Sequence, residues 1–431
     1  MKGILIILDG LGDLPLEKFS NKTPLEIAET PNLDFFAERG EMGCMYPVKP
    51  NFIPESDEAI VSIFGNELIQ STRGQLEARG IGLKLTRGDL AFRVNFGTID
   101  SIETGNILDR RGGRTLTIGE AEALSKAINK IKLPCEFIFK PTIGHRAVFV
   151  LKGGFSDNVT GNDLTYLKGT IVGSNKISPF KALDDEDNTQ YTVNILNEFM
   201  VKAYNVLNTH PINEMRRKKG LLPANFLLMR GPGIDPPKLR FYRKWLAIAY
   251  MPLEIGFSKI SGMDVFSFDY PKLKNFDSYE NLKEGLKKAC LFSIKILKSK
   301  FKNYEYAYVH IKETDLPGHD NKPIEKKEMI EFIDKTFFKF LREFAPLNKI
   351  NIVITGDHST PCKLKNHSAD PVPVLFYRGG SPKIKEKINS NKEKNEENQK
   401  KTKKFCEKNA KEGNLGSFLG KDLFEKVNFL Y

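Results

Sequence analysis

The 431-residue sequence predicts an α/β protein: a mostly parallel sheet sandwiched by helices, with a smaller α+β domain inserted into it. Three observations carry this. Short apolar runs without polar alternation (GILIILDG, NFLLMRGPG, YEYAYVHIKETD, INIVITGDH) are the mark of strands buried on both faces. Helical stretches such as those at 280–301 and 325–344 alternate with them. Each apolar run also ends in a residue capable of chemistry: Asp9, Arg230, Asp315, and Asp357 with His358. Ligands of open parallel sheets bind beyond the carboxyl ends of the strands, so all four runs are expected to deliver these groups to one edge.

Taken in order, MKGILIILDG is a buried strand rather than a signal peptide, since its apolar run is very short and an aspartate interrupts it. Next, NFIPESDEAIVSIFG passes from an extended segment into a helical pattern at Ser56. That serine is either a helix cap or a residue that reacts. From about 75 to 215 the pattern changes. LAFRVNFGTID, NILDRRGGRTLTI, CEFIFKPTIG and HRAVFVLKGG alternate more, are joined by the helical GEAEALSKAINKI, and give the smaller inserted domain. Residues 1–74 and 216–431 are assigned to the large domain. Within it, the Lys/Asn/Glu-rich segment 381–405 is expected to be a disordered surface insertion.

Composition narrows the function classes. The chain is 40% hydrophobic and 28% charged, with no apolar run long enough to span a membrane. Its five cysteines are scattered and lack CxxC spacing, which suits reduced thiols in a cytoplasmic setting. A net charge of +12 favours anionic partners, but lysine is spread widely and no nucleic-acid motif appears. The expected partner is a small anionic molecule, with no nucleic acid and no membrane.

Four of the six histidines fall between His310 and His367. ETDLPGHDN brings Asp315 and His319, and TGDHSTPCKLKNH brings Asp357, His358 and His367. Carboxylates mixed with imidazoles at strand ends suit Mn²⁺, Mg²⁺ or Zn²⁺. Because Pro317 and Gly318 separate Asp315 from His319, these two are expected on a loop rather than on one helical face. His310 and His210 are read as structural or supporting, and His145 as structural before pocket-lining.

DG near the N-terminus, Ser-Asp opening a helix, then TDLPGHD and TGDHSTPCKLKNHSADPVPVL resemble the alkaline-phosphatase superfamily, and most closely its archaeal-type cofactor-independent phosphoglycerate mutases. KTPLEIAETPNLD, LEARGIGL, GDLAFRVNF, LDRRGGR, PANFLLMRGPG and SGMDV extend the likeness over most of the chain. FSFDYPKLK departs from it, standing where that family carries a Gly-Ala-Thr-Gly stretch, and so does the insertion near 390. The resemblance implies an alkaline-phosphatase-like fold and a glycolytic and gluconeogenic isomerase interconverting 3- and 2-phosphoglycerate without 2,3-bisphosphoglycerate.

It further implies two divalent ions, manganese first, with magnesium, cobalt or zinc as alternatives. Asp9, Ser56, Asp357 and His358 would hold one, and Asp315, His319 and His367 the other. Ser56 would carry a phosphoserine intermediate. Candidate substrate arginines are Arg93, Arg110, Arg111, Arg114, Arg146 and Arg230, chosen for bidentate recognition of phosphate and carboxylate. A phosphatase or phosphodiesterase of the same superfamily is the alternative. A binding protein that kept the fold and lost catalysis is the third, disfavoured because all seven ligand positions are filled.

Overall fold

The computed structural model describes residues 1–67, 73–163, 166–167, 170–171, 175–273, 277–380 and 403–430. The expected insertion thus lies outside the described residues up to 402. At its far end Phe405 is fully buried in the main core, so residue 405 does not belong to a disordered surface segment. Among the described residues, no helix is long and apolar enough to cross a membrane.

The strands, in chain order, are β1 (Gly3–Leu8), β2 (Glu41–Tyr46), β3 (Leu90–Ile99), β4 (Ile107–Asp109), β5 (Phe137–Pro141), β6 (Arg146–Leu151), β7 (Tyr166–Leu167), β8 (Thr170–Ile171), β9 (Phe226–Gly233), β10 (Trp245–Ile248), β11 (Asp264–Phe266), β12 (Tyr306–Ile311), β13 (Asn351–Thr355), β14 (Val372–Tyr377) and β15 (Gly416–Leu419). Eight form the main sheet, ordered β11-β10-β12-β1-β13-β14-β2-β15. β1 pairs in parallel with both β12 and β13, and β14 is the strand that runs against its neighbours.

Period-two alternation sends the buried side chains of each central strand into two different cores. Ile4, Ile6 and Leu8 face one core with Val309, Ile352 and Ile354. Leu5 and Ile7 face the other with Tyr308 and Val353. Helices Pro31–Arg39, Ser278–Lys300 and Pro323–Ile333 cover the first face, and Ser56–Ile63 with Pro252–Ile260 covers the second. Every aliphatic side chain of β1 is fully buried, each worth roughly 1.5–3 kcal/mol. That accounts for the unbroken apolar run. A charge at Ile6 would have no solvated face to turn to.

The second sheet is antiparallel, ordered β4-β3-β6-β5, with β9 also paired to β3. Helices Ile118–Ile128 and Asp187–Asn208 pack on one of its faces. This corrects the expectation that NFLLMRGPG joins the parallel sheet. Arg230 belongs to the second sheet, opposite Arg93, although the segment 216–431 that contains it was assigned to the large domain. An apolar run covered on both sides reads the same in either sheet, because its pairing partner lies far away in sequence. Helix Arg73–Gly80 straddles the expected boundary at 74/75. Ala78 packs on the second sheet, while a Cβ at Gly80 would meet the Pro252 carbonyl at 1.8 Å.

Candidate active site

At the carboxyl edge of the main sheet, Asp9 follows β1, Asp357 and His358 follow β13, and Lys312 to Asp315 follow β12. Gly10 has φ +60°, and a Cβ there would meet Asp315 Oδ1 and Thr360 Oγ1 at 2.6 Å, so the turn after Asp9 can only be glycine. The Gly10 and His358 amides each donate to Asp357 Oδ1 at 3.0 Å. Contrary to the loop expected, Asp315–His319 is a short helix, with Asp315 Oδ2 3.4 Å from His319 Nε2 one turn on. Pro317 sits in its first turn, where an N–H has no helical partner to lose.

Ser56 is the first residue of helix Ser56–Ile63 rather than its cap. Glu55 occupies the cap position, its N–H donating to Glu58 Oε2 at 2.9 Å. The Ser56 hydroxyl is thereby left to its own contact, 3.3 Å from His358 Nε2. That nitrogen also lies 3.2 Å from Asp9 Oδ1 and 3.5 Å from Asp357 Oδ2.

The histidine tautomers follow from their partners. His319 Nδ1 lies 3.0 Å from the Lys365 carbonyl and His367 Nδ1 2.8 Å from the Pro54 carbonyl. A carbonyl only accepts, so both Nδ1 atoms carry the proton. Thr360 Oγ1 donates its single proton to Asp315 at 2.7 Å, so the His358 Nδ1 at 3.0 Å must donate to it. All three rings therefore turn Nε2 inward, the arrangement found where a second hydrogen bond orients metal-ligating histidines. Against the effect of burial, Asp357 and Asp9 push the His358 imidazole up to about 9.

Charge points the same way. Burial, reinforced by the neighbouring Asp9, pushes the Asp357 carboxyl up to about 7. Burial opposes ionisation of Asp315 too, but His319, His358 and His367 overcome it and hold that carboxyl well below its usual range. His367 is kept neutral by burial and by His358. Two buried carboxylates, Asp9 and Asp357, and the half-buried Asp315, with inward imidazole nitrogens, fit divalent cations. The donors cluster as Asp315, His358 and His367, and as Asp9, Asp357 and His310. His358 Nε2, 3.2 Å from Asp9 Oδ1 and 3.5 Å from Asp357 Oδ2, stands close to both groups.

The arginines approach from the second sheet. Arg230 Nη1 donates to Glu55 Oε1 at 2.9 Å, beside Ser56, and Arg93 lies opposite Arg230 on β3. Burial, with Arg73 and Arg230 nearby, drives the Arg93 pKa well down. Arg111 is pressed to about 10 by burial and Arg114, with Asp315 pulling the other way. Arg114 pairs with Asp320. Arg110 is tied to Asp163 and Asn175, both at 3.1 Å. Arg146 opens β6. His145 is held neutral by burial and by the neighbouring Arg146, Arg111, Arg114 and Arg93. A cavity of about 850 Å³ separates Arg110, Arg111 and Arg114 from His319, Lys322 and Lys365.

Sequence reasoning passed over several groups. Lys312 contacts Asp9 and reaches Glu254 at 2.8 Å. Its signal was available: a lysine closing the apolar run that also brings Asp315. Arg73 bridges Glu55 at 2.6 Å, Asp57 at 3.3 Å and Glu77 at 2.9 Å. In the divergent FSFDYPKLK segment, Phe268 and Tyr270 stack on Tyr250, which donates to Glu313 at 2.7 Å. The segment therefore reaches the same edge of the sheet.

Residues 37–213 match the family described as 2,3-bisphosphoglycerate-independent phosphoglycerate mutase, and residues 258–412 the metalloenzyme superfamily. A 2,3-bisphosphoglycerate-independent phosphoglycerate mutase of Thermococcus kodakarensis is 42% identical over 392 residues, 88% of this chain and 89% of that one. A solved protein of Pyrococcus horikoshii matches with TM-score 0.71 and 32% identity, covering 100% and 98% of the two chains. The cofactor-independent phosphoglycerate mutase of Thermoplasma acidophilum matches with TM-score 0.53 and 27% identity over the whole of both. An α/β edge of carboxylates and inward imidazoles faced by arginines, together with this identity over nearly the full chain, shows that the chain belongs to the 2,3-bisphosphoglycerate-independent phosphoglycerate mutase family.

Proposed function

We propose that this protein is a metal-dependent phosphoglycerate mutase that passes the phosphoryl group of 3-phosphoglycerate through Ser56 to the 2-hydroxyl, and back. The observation that carries the reading is Ser56 Oγ, 3.3 Å from His358 Nε2, at the start of a helix whose N-terminus favours phosphate. Asp9, Ser56, Asp357 and His358, with Asp315, His319 and His367, would hold two divalent ions, manganese being the first choice. Such ions would supply Lewis-acid polarisation of the phosphoryl oxygens and ease ionisation of the serine hydroxyl.

The chain's own residues do the rest. A bond from Ser56 Oγ to phosphorus forms as the bond to substrate O3 breaks. The glycerate stays, turns, and presents O2 to phosphorus. A bond from O2 to phosphorus then forms as the bond to Oγ breaks, and in the net change O2 gives up its proton while O3 gains one. Arg93, Arg111, Arg114, Arg146 and Arg230, with Arg110 further out, would hold carboxylate and phosphate through charge-assisted hydrogen bonds. The second-sheet unit would close over the site and keep water from the phosphoserine. A cytoplasmic place in glycolysis and gluconeogenesis follows from that substrate.

The test supplies purified protein with 3-phosphoglycerate and Mn²⁺ and couples 2-phosphoglycerate to enolase, with free phosphate followed in parallel. Formation of 2-phosphoglycerate, abolished by chelation, is the expected result. Phosphate release without 2-phosphoglycerate would replace this reading with a phosphatase.

A further inference from the structure

His310 lies in the middle of the catalytic edge, yet neither the pattern of motifs nor the proposed ligand set gives it a task. It sits on β12, is 1% exposed, and pairs across the sheet with Ile7 of β1. Its Nδ1 lies 2.7 Å from the Tyr308 hydroxyl, which fixes the ring plane and aims Nε2 at the carboxylates. Nε2 is buried without a hydrogen-bond partner, 3.7 Å from Asp357 Oδ2, beyond hydrogen-bond reach.

Two further atoms share that condition. Asp357 Oδ2 and Asp9 Oδ1 are also buried and lack a hydrogen bond of good geometry, their one polar neighbour being His358 Nε2 at 3.5 and 3.2 Å. Their other oxygens are engaged: Asp357 Oδ1 accepts two amides, and Asp9 Oδ2 takes Lys312. The three residues converge: one donor atom from each of Asp9, Asp357 and His310 lies within 4.8 Å of the other two. Buried polar atoms without partners are rare and costly, and three facing one point call for a shared partner. A proton shared between any two of these atoms leaves the third without a partner. A cation satisfies all three. Donors bound at about 2.1 Å to one ion stand at most about 4.2 Å apart, so the observed spacing needs only small adjustment.

We propose that His310, through Nε2, is a ligand of the ion held by Asp9 and Asp357, which would make that site a carboxylate pair plus imidazole in its own right. His358, grouped with Asp315 and His367, is then available to the second ion while still facing the first. Tyr308 orients the His310 ring from behind, as carbonyls orient His319 and His367. The inference rests on the two-ion reading of the site and adds to it a donor outside the strand-end motifs.

The experiment titrates Mn²⁺ calorimetrically into metal-stripped protein and into its His310→Leu variant. Two binding steps are expected in the parent. In the variant one step should weaken by at least tenfold while the other is kept, with the metal-free melting temperature little changed. Equal affinities for both steps would overturn the role of His310. Absence of any binding in the parent would overturn the two-ion reading instead. Should the variant not fold, the parent itself answers. With ¹⁵N-labelled histidine and Zn²⁺, the His310 Nε2 resonance should move to a metal-coordinated position. An Nε2 that keeps a proton in the loaded protein would sink the proposal.

Discussion

The two sides of the candidate site are built on opposite plans. On the main-sheet wall, each imidazole is aimed by a fixed group behind it: the Lys365 carbonyl for His319, the Pro54 carbonyl for His367, the Thr360 hydroxyl for His358. The ring orientations are thus set before a cation is bound. On the second-sheet wall, the arginines are held by carboxylates: Arg230 by Glu55, Arg114 by Asp320, Arg110 by Asp163. An anionic substrate must compete with those partners. One wall is preorganised for cations, and the other exchanges internal anions for external ones. Mutations on the two should therefore fail differently, the first in metal affinity and turnover, the second in substrate affinity.

The largest effect belongs to the point where the walls meet. Ser56→Ala should lower mutase turnover by at least about 10³-fold, as loss of a nucleophile does in comparable enzymes. It should also abolish incorporation of labelled phosphate into protein. Label retained by that variant would break the assignment of Ser56.

Thr360→Val comes next, because one hydroxyl sets both the His358 tautomer and a contact of Asp315. Losing such a supporting group typically costs 10–100-fold in metal affinity or activity. Mn²⁺ titration should show the loss, and Thr360→Ser should restore it. A valine variant with unchanged Mn²⁺ affinity would mean the tautomer is set elsewhere.

On the other wall the contrast is internal. Arg111→Ala should weaken 3-phosphoglycerate binding by roughly 10–100-fold, the worth of one hydrogen bond to a charged group. Arg110→Ala should weaken it less, since that side chain is tied to Asp163 and Asn175. Equilibrium binding to metal-loaded protein reads both. Equal effects would mean that Arg110 leaves its partners when substrate arrives.

How far these walls could be read in the sequence divides along the same line. The strand-end Asp and His groups were legible because each is joined to its own apolar run, a signal only a few residues long. Arg230 was visible as a strand-end residue but went to the wrong sheet, since its pairing with Arg93 spans more than a hundred residues. The Asp315–His319 helix was hidden by proline and glycine, which exclude helix interiors but not a first turn. Arg73 and Lys312 could be seen as residues but not as contacts. Arg73 acts on three carboxylates gathered from two helices, and Lys312 on Asp9 through the adjacency of β1 and β12. Side-chain pairing of that kind has no period to read.

The smallest effect tests what lies beneath the first wall. Lys326, fully buried, donates to the Gly12 carbonyl at 3.1 Å, Asp13 Oδ2 at 2.9 Å and the Thr360 carbonyl at 3.0 Å. It thereby ties the loop after β1 to the loop after β13. Glu407 completes the tie, accepting the Asp13 amide at 3.1 Å and the Thr23 hydroxyl at 2.7 Å. Burial raises the Glu407 carboxyl from 4.5 to about 7, and the Thr23 bond does not offset it. The native state therefore binds this proton more tightly than the unfolded chain. The stabilisation is fully present below pH 4.5 and is lost as pH rises through about 7. Glu407→Gln removes that dependence. Relative to the parent it should gain about 1–3 kcal/mol on going from pH 5 to pH 7.5, measured by urea unfolding of metal-free protein. Mn²⁺ and substrate affinities should stay within about twofold, because a neutral amide can keep the Thr23 contact. If the gain is absent, the Glu407 carboxylate is stabilised in place, and the support under the metal wall is an ion network of Lys326, Asp13 and Glu407 rather than a lysine paired with Asp13 alone.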